Sequence, residues 1–194
     1  MCGRFALVDD MPRLLTRFLF RKVSEGLRLS APNGSPTQTV LTIRETEEGR
    51  LGSSMRWGLV PFWGKDLSIG IKMIHARSET VATKPPFRTA LKQRRCLVPA
   101  SGFYEWARDV GKRQPHFFRR LHREPFAMAG IWDLGPVDLF GGSTPAGRRW
   151  GTKVSISWSR YGHMRHARPR SDWPYAVWLS RAMKRRLLSP SIHM

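Results

Sequence analysis

Along this chain apolar positions recur at period two in many short runs and at helical spacing in only a few. From Cys2 to Val8, Phe5 and Leu7 fall on one face and Arg4 and Ala6 on the other, which predicts a strand. Asp9 or Asp10 then caps a helix with Pro12 in its first turn. Met11, Leu14, Leu15, Phe18 and Leu19 form its one buried face, and Arg13, Arg17 and Arg21 take the other side. Residues 31–38 read as loop, with two prolines and an Asn-Gly pair. Strands follow at Thr39–Ile43 and Met55–Val60, separated by a polar hairpin turn over Glu45–Gly52, and residues 68–75 predict another strand. Phe87–Arg94 is a short basic helix. Arg95–Pro99, Phe103–Trp106, Pro115–Arg120 and Phe126–Trp132 are further strands, with a last clean one at Val154–Ile156. Many short strands with two or three flanking helices indicate an α+β domain on a mainly antiparallel sheet, barrel-like in outline.

Length leaves room for one domain: 194 residues bury a sizeable core but do not make two comfortable ones. Charge changes the picture more. There are 34 Lys and Arg against 14 Asp and Glu, a net charge of +20, and such a field attracts polyanions, nucleic acid foremost. Eight Trp, ten Phe and three Tyr supply flat faces on which bases stack, although most serve a core. Cys2 and Cys96 are the only cysteines, so there is no disulfide framework and no cysteine-based zinc site. His163-x-x-His166 alone is a weak metal signal, and neither a metal nor an organic cofactor is expected. No apolar run reaches membrane length, and Arg4 followed by Asp9 and Asp10 does not make a signal peptide. The expectation is a soluble monomer in a reducing, cytoplasmic compartment.

The chemistry starts at Cys2. Its small side chain permits removal of Met1, which leaves an α-amine and a thiol on adjacent carbons. An α-amine titrates near ~8 and a cysteine thiol near ~8.5, so both have a reactive fraction at neutral pH. Such a 1,2-aminothiol captures an aldehyde twice: the amine forms a Schiff base and the thiol closes a thiazolidine ring. Glu105 lies between Tyr104 and Trp106, and alternation puts it on the opposite face, beside Phe103. A carboxylate partly desolvated among aromatics suits general acid–base work; the alternative is a rim carboxylate paired with an arginine. His75 and Arg77 share a face in the predicted strand end Ile74–Thr80, where the planar Arg77 fork fits a phosphate or, alternatively, pairs with Glu79. Trp57, Phe62 and Trp63 offer a wedge or stacking surface, with Trp57 the more suited to the core.

The order of motifs resembles the SRAP family (SOS response-associated peptidase, abasic-site-processing proteins). The matching stretches are Met1-Cys-Gly-Arg-Phe5, Asn33-Gly-Ser-Pro-Thr-Gln38, Arg56-Trp-Gly-Leu-Val-Pro-Phe-Trp63, Ile74-His-Ala-Arg-Ser-Glu-Thr80, Arg94-Arg-Cys-Leu-Val-Pro99, Gly102-Phe-Tyr-Glu-Trp106 and Ala129-Gly-Ile-Trp132. They cover residues 1–133. The resemblance implies a single SRAP-like domain over 1–194 that binds single-stranded DNA and single-strand/duplex junctions. It implies that the ring-opened aldehyde of an abasic site is trapped on the N-terminal cysteine as a thiazolidine, and that a peptidase-like self-processing exposes that cysteine. By motif, Cys2 is the crosslinking nucleophile and Glu105 the acid–base. Arg4 and Arg77 hold phosphates, Asn33 lies in a loop flanking the site, and Trp63 belongs to the aromatic region that handles unpaired bases.

The chain departs from the family twice. His75 stands where the family has Asn, which adds a group that titrates near ~6.5. The family's closing His-x-Arg-Met-Pro is matched only by His166-Ala-Arg-Pro169, one residue short, with His163 as a rival; His166 is the candidate catalytic histidine. Residues 134–172 otherwise diverge, either as an insert or as a shifted reading frame, before Tyr175–Leu179 and a helix-like Ser180–Leu188 resemble a family ending again. Two other functions compete: an N-terminal-nucleophile amidohydrolase, and a single-strand binder whose active site has decayed.

Overall fold

The computed structural model describes residues 3–27, 31–61, 63, 66–106, 114–134 and 152–158. Cys2, Phe62, His163, His166, Tyr175–Leu179 and Ser180–Leu188 lie outside these residues. The first half of the chain runs β1 (Arg4–Leu7), α1 (Met11–Phe18), β2 (Lys22–Val23), β3 (Ala31–Gly34), β4 (Thr39–Thr46), β5 (Gly49–Trp57), α2 (Ile69–Lys72) and β6 (His75–Arg77). It continues with α3 (Pro85–Gln93), β7 (Arg95–Ala100), β8 (Gly102–Trp106), β9 (Pro115–Phe118), β10 (Phe126–Leu134) and β11 (Thr152–Trp158).

The strands form a four-stranded sheet, β3-β1-β8-β9, and a seven-stranded sheet, β2-β5-β4-β7-β10-β11-β6. A short parallel pairing of Lys153 with Arg56 and Val154 with Trp57 joins β11 to β5. The larger sheet therefore curls back on itself at a seam. This is the expected α+β architecture, and among the described residues it stops short of a fully hydrogen-bonded closed barrel. One apolar cluster lies between the two sheets. Phe5 and Phe103 enter it from the small sheet, and Trp57, Val98 and Met128 from the large one.

Local chemistry explains where the elements begin and end. Asp10 caps α1, its side chain accepting from the Arg13 backbone N–H at 3.0 Å. Leu14 and Phe18 are buried as the periodicity predicts. Leu19 is not part of that face: it ends the helix in the left-handed region, φ 54°, and stands exposed. The β4–β5 hairpin keeps pairing to Thr46 and Gly49, so the expected Glu45–Gly52 turn shrinks to its tip.

Two segments differ in kind from their sequence reading. Residues 31–34 of the expected loop are edge strand β3, where Pro32 costs no ladder bond. Residues 69–72 of the expected strand are helix α2. The alternation of Ile69, Ile71 and Met73 suits a strand, but Asp66 accepts from the Ser68 backbone N–H at 3.0 Å and starts a turn there. The backbone of Gly70 then packs on Gly58, whose φ of +124° also ends β5 at Trp57 rather than at Val60. Among the described residues no helix is long and apolar enough to cross a membrane.

Candidate active site

Strand β1 lies inside the small sheet and carries the N-terminal motif. It runs antiparallel to β8 with Arg4 opposite Tyr104, Phe5 opposite Phe103 and Ala6 opposite Gly102. Strand β9 continues the rows, setting Phe118 opposite Phe103, Phe117 opposite Tyr104 and His116 opposite Glu105. Directly opposed side chains share a face. The row Phe5–Phe103–Phe118 therefore faces the inter-sheet core, where the Phe103 and Phe118 rings stack at 5.3 Å and 17°.

The β1–β8 ladder ends at Arg4 and Tyr104; extending its register by one residue sets Gly3 level with Glu105. Glu105 is thus half-buried on the inner face at the margin of the core, with exposed His116 beside it. Among the described residues a Cβ built on Gly3 meets nothing within 4 Å. The peptide bond of Gly3 joins it to Cys2. The start of β8 is fixed against the end of β1: Ser101 donates to Asp9, accepts from the Val8 backbone N–H at 2.9 Å, and its own N–H reaches the Ala6 carbonyl at 2.8 Å.

Trp57 links this row to β6. Its indole Nε1 donates to the Ile74 carbonyl at 2.9 Å. Its buried ring lies 5.3 Å from Phe5 and meets the His75 ring edge-on at 6.0 Å. His75 and Glu105 are therefore each one aromatic neighbour removed from Phe5, from opposite sheets. Arg77 lies beyond buried Ala76 on the same strand and is exposed.

Arg4 is on the other face of β1. Its Nη1 donates to Asn33 Oδ1 at 3.1 Å, which ties the guanidinium to β3. Trp63 stands 51% exposed between β5 and α2, open enough to meet a ligand. Cys2 and His166 lie outside the described residues. The structure thus pairs Arg4 with Asn33 on one face of β1, sets Glu105 on the opposite face, reaches His75 through Trp57, and leaves Arg77 and Trp63 on the surface. His116 was missed by sequence reading. Alternation within its strand gives its face, but only the β8–β9 register, a long-range fact, puts it opposite Glu105.

Cys96 is no rival for thiol chemistry. Burial pushes its thiol far up, and the positive charge of Arg44 offsets only part of this. Among the described residues no three His, Cys, Asp or Glu side chains group closely enough to hold a metal.

A family model described as SOS response associated peptidase (SRAP) matches residues 1–147. Abasic site processing protein YoqW of Bacillus subtilis is 40% identical over 136 residues, which is 69% of this chain and 60% of that protein. YedK of Escherichia coli is 32% identical over 136 residues, 68% of this chain and 59% of that protein. HMCES of Gallus gallus is 42% identical over 139 residues, 60% of this chain and 41% of that protein. The chain thus spans about 60% of the length of the Bacillus relative. A solved structure from Bacteroides thetaiotaomicron shares the fold at TM-score 0.67 and 21% identity, over 81% of this chain and 68% of that one. The family model runs from the N-terminal motif past the end of β10 and covers well over half of the sequence: this chain belongs to the SOS response associated peptidase (SRAP) family.

Proposed function

We propose that this protein processes abasic sites, binding single-stranded DNA and single-strand/duplex junctions and trapping the ring-opened sugar on Cys2. The observation that carries this reading is the row Gly3–Glu105. Extending the β1–β8 register by one residue sets the residue bonded to Cys2 level with a half-buried carboxylate, and no described residue lies within 4 Å of a Cβ built there. The names of the relatives, abasic site processing proteins, support the substrate class.

The chemistry balances without an oxidant. Glu105 carries a proton from the C1′ hydroxyl to the sugar-ring oxygen as the C1′–O4′ bond breaks and the ring opens to the aldehyde. The Cys2 amine, exposed once Met1 is removed by a peptidase-like self-processing, adds to the aldehyde carbon and water leaves, giving a Schiff base. The thiol then adds across the C=N bond, its proton passing to nitrogen, and the thiazolidine closes. The carboxylate of Glu105 and the imidazoles of His75 and His166 are the groups assigned to move protons. Arg4, oriented by Asn33, and Arg77 take phosphates, and Trp63 stacks on an unpaired base.

The deciding experiment mixes the protein with a single strand bearing one abasic site and looks for a band that survives denaturing electrophoresis. A shifted band with parent protein, lost in Cys2→Ala while binding to undamaged strand persists, is expected. No band from the parent would overturn the reading. Ammonia release from glutamine by the same preparation would point instead to amide hydrolysis.

A further inference from the structure

We propose that the cleft between α1 and the turn joining β9 to β10 is a docking surface for a partner protein's acidic peptide segment, one whose carboxylates are spaced by apolar residues. This goes beyond the function proposed above and uses none of the residues assigned to it.

The turn forms a second wall beside the helix. The Arg123 backbone N–H closes it on the Arg120 carbonyl at 3.0 Å. Arg13 of α1 reaches across and donates to the Arg123 carbonyl at 2.9 Å, and its guanidinium also pairs with Asp9 at 3.0 Å. Between the walls lies a cleft of about 540 Å³. Glu124 shows how this cleft takes a carboxylate: one of its oxygens lies 2.7 Å from Arg120 Nη1 and 3.6 Å from Arg17 Nη2. A guanidinium fork fits a carboxylate in this way. On the same turn Arg119 and Arg123 are exposed and make no side-chain ion pair among the described residues. The lining between the arginines suits an apolar residue. Thr16 donates its hydroxyl to the Pro12 carbonyl at 3.0 Å, and Pro12 and Pro125 have no N–H. Leu121, at the tip of the turn, is 80% exposed.

Charge and residue type select the occupant. Arginine clusters recognise acidic motifs. A nucleic acid fits less well here. The large exposed apolar side chain of the turn is the aliphatic Leu121, which offers no ring for a base to stack on, and Asp10 and Glu124 in the lining repel closely spaced phosphates. A second copy of the chain is repelled by the shared charge of +20. Residues 135–194 do not supply the segment either, because their only acidic side chains are Asp138 and Asp172. The cleft adjoins Asp10, beyond the end of β1, whereas Gly3 precedes that strand. The extended chain from Gly3 to Val8 spans roughly 17 Å, so the surface leaves the Glu105 end of the small sheet free for DNA.

The probe is a fluorescein-labelled peptide with the repeat Asp-Asp-Leu, titrated with the full chain and read by anisotropy. Losing two exposed ion pairs weakens binding by about five- to about thirty-fold, so the double variant Arg119→Gln, Arg123→Gln should fall in that range. It should melt like the parent and crosslink an abasic strand at the parent's rate. Leu121→Ser, at an exposed turn position, should weaken binding by about three- to about tenfold through lost apolar cover. A peptide with Asn in place of Asp should not bind the parent. Absence of binding between the acidic peptide and the parent overturns the surface, as do affinities within about twofold of the parent in both the double variant and Leu121→Ser. So does an oligothymidylate that displaces the peptide and loses affinity by the same factor in the double variant, because the patch would then hold phosphates. Crosslinking by the parent sample reports separately on the proposed function.

Discussion

Strands β4 and β5 of the larger sheet pair over eight residues, and β7 and β10 over six. In the smaller sheet β1 is held to β8 by three residue pairs and to β3 by two, with an irregularity between them. The large sheet supplies most of the apolar cluster shared between the two. The small sheet carries Arg4, Asn33, Glu105 and the residue bonded to Cys2, to which the proposed function gives substrate roles, while His75 and Arg77 come from the large one. The scaffold has long ladders and tolerates local loss. The small sheet is short and its faces depend on register, because a slip of one residue between β1 and β8 would turn Arg4 inward and Phe5 outward. Trp57 is the strut from one to the other.

Removing that strut should have the largest effect and should blur the distinction. Trp57→Ala deletes a fully buried ring, its bond to the Ile74 carbonyl and its contacts with Phe5 and His75, so a loss of ~3–5 kcal/mol is expected in denaturant unfolding. Crosslinking should fall with it. A loss below ~1 kcal/mol would mean that the sheets are joined elsewhere.

Glu105→Gln should sharpen the comparison. Loss of the acid–base slows single-turnover adduct formation by about 10²-fold or more, with an unfolding midpoint close to the parent's. An unchanged rate would make Glu105 a structural rim residue.

Arg4→Ala and Arg77→Ala probe one cation from each sheet. Each should flatten the log–log salt dependence of single-strand binding by about 0.7, one phosphate contact. Equal slopes in parent and both variants would remove phosphate binding from these two positions.

The smallest effect belongs to Asp10→Ala. It removes the cap of α1 and should cost ~1 kcal/mol of stability without altering the crosslinking rate. A slowed rate would show that the helix also positions β1.

The sequence was most legible where one residue's chemistry decides the structure locally. Asp10 and Pro12 announced α1, and the alternation around Phe5 announced β1. The face of Glu105 followed from alternation as well, since Phe103 beside it packs on the core. Reading failed where a distant contact outweighed the local pattern. Ile69, Ile71 and Met73 alternate like a strand, yet the approach of Gly70 to Gly58 and the Asp66 turn make a helix. Pro32 and Asn33-Gly34 look like a turn, yet an edge strand accepts them. His116 opposite Glu105 and Phe117 over Gly102 needed the pairing of two strands that no single stretch specifies.

The contact between Gly58 and Gly70 also limits how this protein can change. Position 58 is closed to other residues twice over, by its φ of +124° and by the Gly70 carbonyl 2.6 Å from where a Cβ would be. Position 70 meets the Gly58 carbonyl at 3.0 Å in return. The obstacle at position 58 is main chain, so no side-chain substitution elsewhere relieves it, whereas position 70 accepts a Cβ if the Gly58 carbonyl and the Val60 side chain give by a few tenths of an ångström. The two sites therefore differ as mutational targets: a path through position 58 must rebuild the turn that leads into His75 and Arg77, and one through position 70 need only shift it.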